Sequence, residues 1–200
     1  MCIRDSHQPS LGKLRSCGQK YTGVDIKIVD ENGNEVPTGD VGEITIKSTI
    51  IMKGYWNRDE ANNESIVDGW FHTGDAGYFD DEDFLYIYDR VKDMIISGGE
   101  NIYPAEVENA LMSHPDIIDA AAVGVPDDKW GETVKGFVIL KEGAELTEQD
   151  IIDSTKEKIA SYKCPTSINF IQEMPRNPSG KILRRELREP YWDDKGRNVS

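Results

Sequence analysis

No apolar run in this sequence approaches the roughly 20 residues a helix needs to cross a bilayer, so no transmembrane segment is expected. Positive charge is scarce: 23 Lys and Arg stand against 37 Asp and Glu, for a net charge of −14. A surface of that sign repels phosphate backbones and anionic headgroups, which argues against nucleic acid or an anionic membrane as the main partner, the positive charge that is present being concentrated in clusters such as Lys181 to Arg188. Cysteine is scarce too. Cys2, Cys17 and Cys164 show neither CxxC nor metal-ligand spacing, which argues against a disulfide framework and a metal site and points to reduced thiols in a cytoplasmic protein. No signal-peptide pattern opens the chain. Met1 to Pro9 lack both periodicity and a cap, and short strands follow at once, so a natural amino terminus is not expected there.

The most informative stretch runs from Asp89 to Glu108. Four of its first five residues are charged, and Met94 to Ile96 then form a short apolar run that reads as a strand. Ser97-Gly98-Gly99 is a turn whose paired glycines permit positive φ and close approach of another molecule to the backbone. Pro104 stands where a first helical position would be, and Glu106 and Glu108 fall where acids suit the helix dipole. Val107 and Leu111 share a face.

Upstream, Val24 to Val29 and Gly42 to Lys47 alternate in polarity and read as strands separated by turn material. A short helix fits residues 58–69, and Phe84 to Tyr88 form a further strand. His72, beside Trp70 and Phe71, reads as a structural histidine. Asp75 follows a Thr-Gly turn and could project a carboxylate from a strand end toward a diol, though by spacing alone an Asp after Gly is usually a turn residue. Downstream, Ile117 to Val125 and Val134 to Leu140 read as strands around a loop at Lys129 to Glu132. Thr147 to Asp150 resembles a capping box opening a helix that buries Ile151, Ile152, Thr155 and Ile159 and ends by Lys163-Cys164-Pro165. Ile168 to Ile171 form a short strand, Pro175 to Lys181 a rigid turn delivering one lysine, and Leu183 to Leu187 a basic helical turn. By spacing alone Lys181 reads first as a solvated loop lysine. Tyr191 to Ser200 read as a loosely held polar tail.

Four blocks, in order, give the chain a resemblance: Gly42-Glu43-Ile44 through Gly54-Tyr55-Trp56; Gly69-Trp70-Phe71-His72-Thr73-Gly74-Asp75; Asp89-Arg90-Val91-Lys92-Asp93 through Ser97-Gly98-Gly99-Glu100-Asn101-Ile102-Tyr103-Pro104; and Asn177-Pro178-Ser179-Gly180-Lys181. Across residues 11–190 the chain resembles the AMP-forming acyl-CoA synthetases of the adenylate-forming group. That resemblance implies an α+β chain in two parts: residues 1–88 as the β-barrel-like, incomplete end of a large AMP-binding domain, and residues 89–200 as a small mixed α/β lid with a central sheet flanked by helices.

The resemblance implies a reaction in two halves, with ATP and CoA as the nucleotide substrates, Mg²⁺ arriving with ATP at a site outside this chain, and a small carboxylic acid, fatty or aromatic, as the group activated. Asp75 and Arg90 would hold the ribose hydroxyls, the carboxylate accepting and the guanidinium donating. Lys181 would bring the substrate carboxylate and the α-phosphate together as a point charge. Lys92 takes the hinge position about which the lid rotates between half-reactions. Ser97, Gly98, Gly99 and Glu100 would line the pantetheine tunnel, and Trp130, Tyr162 and Lys163 would meet the CoA nucleotide. Arg184, Arg185 and Arg188 then read as solvated lid surface.

The family's Ser/Thr/Gly-rich phosphate loop and its Tyr-Gly-x-Thr-Glu block are missing, as is the acyl pocket. The chain therefore reads as a fragment whose partner is the N-terminal part of the same enzyme, and the isolated 200 residues are expected to form no acyl-AMP. Two other readings stay open: an adenylation domain loading a carrier protein, and a non-catalytic lid-like module binding nucleotide or a partner.

Overall fold

The structure, a computed structural model, describes residues 3–4 and 13–192. The expectation for Met1 to Pro9, apart from Ile3–Arg4, and that for the tail beyond Trp192 lie outside the described residues. The chain divides into two compact units, Met1–Lys92 and Asp93–Ser200.

Among the described residues the first unit is one seven-stranded sheet. Its strands are β1 (Ile3–Arg4), β2 (Gly18–Lys20), β3 (Val24–Val29), β4 (Gly42–Ser48), β5 (Ile66–Val67), β6 (Trp70–Phe79) and β7 (Phe84–Arg90). They run in the order β1-β2-β7-β6-β4-β3, with β5 added onto β6. Alternation in β3 and β4 turns Val24, Ile26, Ile28, Ile44 and Ile46 inward, where they close over Leu85 of β7. Each such aliphatic contributes roughly 1.5–3 kcal/mol by leaving water. The expected short helix is α1 (Asp59–Ser65). Asn62 fastens it to the preceding loop: its carboxamide accepts from the Tyr55 N–H at 2.6 Å and donates to the Tyr55 carbonyl at 3.0 Å.

The second unit is a five-stranded sheet among the described residues, covered on both faces. Its strands are β8 (Ile95–Ser97), β9 (Glu100–Ile102), β10 (Ile117–Asp127), β11 (Gly131–Leu140) and β12 (Ser167–Phe170). Its helices are α2 (Pro104–Met112), α3 (Glu148–Lys156) and α4 (Arg184–Trp192). β10 and β11 form a long antiparallel hairpin, and β12 joins β11 in parallel. Small apolar residues in β10 serve two cores at once. Ala120 and Ala122 face Val107 and Leu111 of α2 and Ile151 and Ile152 of α3. Ala121, Val123 and Val125 face Phe137, Met174 and Leu187 of α4.

The local signals at helix starts hold. Pro104 occupies the first turn of α2. At α3 the Thr147 hydroxyl accepts from the Asp150 N–H while the Asp150 carboxylate accepts from the Thr147 N–H, a reciprocal capping box. The Thr147 hydroxyl also donates to the Asp150 carboxylate at 2.6 Å, and that bond, with the one from the Thr147 N–H, holds the Asp150 carboxyl below the ordinary carboxylate range.

The structure corrects three expectations. The helix predicted to reach Lys163 stops at Lys156, capped by Glu157; past it the backbone leaves the helical region at Ala160, and a separate 3-10 turn, Ser161–Lys163, carries the chain to the buried Cys164. Tyr191 and Trp192 are not loose tail: the Asn169 amide donates to the Tyr191 hydroxyl at 3.0 Å, and the Trp192 indole donates to the Gly124 carbonyl at 3.0 Å. Nor are Arg184 and Arg188 solvated surface. Arg188 is 7% exposed and Arg184 is held by carboxylates, since α4 lays this face on the sheet; Arg185 does point to solvent.

Candidate functional sites of the two units

In the first unit the structure brings Asp75 and Arg90 together. They are direct partners across β6 and β7, and the Arg90 Nε lies 3.0 Å from Asp75 Oδ1. Asp75 sits inside β6 rather than at the strand end the Thr-Gly turn predicted. The strand absorbs that turn through Gly74, whose φ is +70°, and through a register shift between Ala76 and Gly77. Both side chains keep partial exposure, so carboxylate and guanidinium remain open to a third group.

The supports of Asp75 were not visible one residue at a time. The Asp75 N–H donates to the Thr73 hydroxyl at 3.1 Å, which itself donates to the Ile44 carbonyl at 2.8 Å. Glu43 of β4 reaches across the sheet: one oxygen accepts from the Gly74 N–H at 3.0 Å and the other lies 2.7 Å from His72 Nδ1. The Gly-Glu of one motif block thus shapes the Thr-Gly-Asp of the next, and His72 is a structural partner, as its aromatic neighbours suggested. Replacing Glu43 with alanine leaves two donors without their acceptor. A loss of about 1–3 kcal/mol is expected, read as a lowered Tm.

Lys92 lies in a 3-10 turn, Val91–Asp93, and lines an open groove of about 440 Å³ with Tyr55, Trp56, Arg58 and Glu64. Trp56 is almost wholly exposed.

In the second unit, Ser97 to Glu100 form the tight turn between β8 and β9, with φ of +60° at Gly98 and +88° at Gly99. Two successive positive φ values suit this hairpin, and glycine adopts them without strain. Trp130 packs over the turn. The Gly98 N–H donates to the Trp130 carbonyl at 2.8 Å, and a Cβ on Gly98 would stand 2.7 Å from the indole ring. The ring is half-exposed, with the Lys129 ammonium 4.3 Å from its centre. Tyr162 is also half-exposed. Lys163 beside it is committed: its ammonium donates to both Glu106 oxygens, at 2.9 and 2.7 Å.

Lys181 stands on a turn built around Asn177. The Asn177 carboxamide oxygen accepts from the N–H groups of Ser179 and Lys181 at 3.0 and 2.9 Å, and the Asn177 N–H donates to the Lys181 carbonyl at 2.9 Å. Arg176 braces the turn against β10, donating to the Gly180 carbonyl and to Asp119, each at 2.6 Å. The backbone is fixed, while the Lys181 side chain is exposed and, among the described residues, no ion pair holds its ammonium. Among the described residues no cluster of His, Cys, Asp or Glu is arranged to hold a metal ion, and no helix is long and apolar enough to cross a membrane.

Two family profiles match this chain: the AMP-binding enzyme family over residues 1–56 and the AMP-binding enzyme C-terminal domain over residues 106–181. The chain belongs to the AMP-binding enzymes. It is 44% identical to a fatty acid–[acyl-carrier-protein] ligase of Streptomyces coeruleorubidus, over 98% of this chain and 38% of that protein. It is 46% identical to a 2-succinylbenzoate–CoA ligase of Bacillus cytotoxicus, over 90% of this chain and 37% of that protein. The o-succinylbenzoate CoA synthetase of Bacillus subtilis, solved with its acyl-adenylate intermediate, superimposes with a TM-score of 0.80 at 42% identity, over 88% of this chain and 36% of that one. The chain thus spans little more than a third of the length of the curated relatives it matches. The mixed α and β architecture and the AMP-forming ligase family read from the four blocks are both borne out.

Proposed function

We propose that this chain supplies the ribose clamp, hinge and lid of an AMP-forming carboxylate–thiol ligase. The observation that carries the reading is the Asp75–Arg90 pair: a half-exposed carboxylate and guanidinium 3.0 Å apart on adjacent strands. A vicinal diol can donate to the one and accept from the other, and the pairing fixes both groups before a nucleotide arrives.

In the first half-reaction a substrate carboxylate oxygen attacks the α-phosphorus of ATP, and pyrophosphate leaves with the broken P–O bond's electrons. Two anions must approach, and the exposed ammonium of Lys181, on its braced turn, offsets that repulsion in the transition state. In the second, a thiolate attacks the acyl carbonyl and AMP departs, leaving a thioester. Rotation at Lys92 exchanges the Lys181 turn for the Ser97–Glu100 hairpin between the two halves. The bare backbone of Gly99, with open space where a Cβ would stand, suits a narrow passage for a pantetheine arm. The half-exposed rings of Trp130 and Tyr162 offer stacking faces to the nucleotide of CoA. Lys163 keeps its charge on Glu106 and serves the site by holding the start of α2. Mg²⁺ would arrive bound to ATP and offset part of its phosphate charge, and no side chain of this chain is assigned to hold it.

The relatives' names support both acceptor thiols, since one is a CoA ligase and another loads an acyl carrier protein. CoA and a carrier's phosphopantetheine present the same thiol, so the two readings differ in what surrounds it. The test uses the full-length protein that contains this chain. Acid-dependent exchange of labelled pyrophosphate into ATP, over fatty and aromatic acids, is expected with at least one class. CoA and a phosphopantetheinylated carrier are then offered in turn. Exchange with no acid from the panel, in a folded protein that binds AMP, overturns the ligase reading.

A further inference from the structure

Arg184 is the first residue of α4 and follows Lys181 by three positions. Its guanidinium draws together residues far apart in sequence. Nε and Nη2 donate to the two oxygens of Glu108 on α2, at 3.0 and 2.7 Å, in a fork-to-fork pair. Nη1 lies 3.4 Å from the carboxylate of Asp93. Glu108 is itself pinned to the sheet, accepting from the Ala122 N–H of β10 at 3.0 Å. All three side chains are mostly buried, the Arg184 side chain at 21% exposure and those of Asp93 and Glu108 at 28% and 14%. Asp93 is also the first residue of the second unit, directly after the boundary at Lys92.

We infer that Arg184 is a positioning residue that fixes the near edge of the hinge: by clamping Asp93 to α2 and α4, it confines rotation to the Lys92 backbone and refers the Lys181 turn to that edge. The 3-10 turn Val91–Asp93 spans the boundary between the units. Without an anchor on Asp93, the pivot would spread into Met94 and the start of β8. With it, the second unit begins rigidly at Asp93, and the lysine three residues before Arg184 moves through a defined arc. The inference rests on the proposed ligase cycle for its purpose but not for its mechanical content.

Asp93→Asn is the decisive substitution, because it removes the charge at the hinge and leaves the Arg184–Glu108 fork whole. Asp93→Glu is the conservative rescue. In the full-length protein, trypsin cleavage after Arg90, where the substitutions leave the residues on both sides of the scissile bond unchanged, reads the local opening of the Val91–Asp93 turn. Asp93→Asn is expected to raise that cleavage rate about three- to tenfold, the scale for a partly buried ion pair, with the Tm nearly unchanged. Asp93→Glu should return it towards the original rate. In pyrophosphate exchange Asp93→Asn should lower kcat by a similar factor and leave the KM for ATP in place, since the ribose clamp is untouched. Unchanged cleavage after Arg90 in both Asp93→Asn and Arg184→Lys overturns the anchor. A raised cleavage rate in a protein that exchanges pyrophosphate with no acid keeps the anchor and refutes the ligase reading, so the two failures are separable. Should Arg184→Lys fail to fold, Asp93→Asn alone decides.

Discussion

Replacing Lys181 with alanine in the full-length enzyme is expected to lower acid-dependent pyrophosphate exchange by about 10²- to 10³-fold, the scale of one lost charge-stabilising donor, about 3–4 kcal/mol. The loss should fall on kcat, because the ammonium acts on charge that develops as the carboxylate meets the α-phosphate. Thioester formation from supplied acyl-adenylate should be nearly unchanged, which separates a catalytic loss from a folding defect. The Asn177-centred turn sets the backbone independently of the lysine side chain, so the variant should keep its Tm. Arginine should rescue poorly, since a planar fork does not substitute for a compact charge reaching between two anions. Equal loss in both half-reactions would remove Lys181 from the adenylation step.

Replacing Gly77 with alanine is expected to cost about 3 kcal/mol of stability, at the upper end for an overpacked site. A Cβ there would stand 2.4 Å from the Tyr86 carbonyl oxygen and 2.8 Å from the Ile44 side chain. The carbonyl belongs to the neighbouring strand and cannot turn aside as a side chain would. Relief requires β6 and β7 to separate at the register shift that sets Asp75 opposite Arg90. The variant should therefore show a lower urea midpoint and weaker AMP binding together. A variant with wild-type stability that still loses AMP would place the effect in the nucleotide pocket itself rather than in the strand pairing.

How far these sites could be read from the sequence depended on the range of the interactions that build them. The Ser97–Glu100 hairpin, the Pro104 helix start and the Thr147–Asp150 box are local devices, complete within a few residues, and their side chains announce them. Lys181 was legible as a lysine on a rigid turn, and the turn is rigid because Asn177 bonds residues at most four positions away. The pairs joining distant segments were not legible. Glu43 meets His72 across 29 residues, Lys163 meets Glu106 across 57, and Arg184 meets Glu108 across 76. A basic stretch such as Lys181 to Arg188 suggests solvent until the second face of the sheet is seen to need a cover. Arg188 and Leu187 are buried because β10 is apolar on both sides, a property of the sheet rather than of the helix. The end of α3 was missed for the opposite reason: the polar periodicity continues past Lys156, where the helix stops, and the backbone leaves the helical region at Ala160 before Cys164.

Among the described residues each buried cluster draws its members from one unit alone: Val24 to Leu85 in one, Ile95 to Ile168 in another, Ala121 to Leu187 in the third. A genetic crossover between the codons for Lys92 and Asp93 would therefore inherit every apolar core intact from a single parent. Natural recombination and laboratory shuffling alike could trade the lysine-bearing cassette among relatives, and new pairings of acid specificity with acceptor thiol could arise without any core having to be rebuilt.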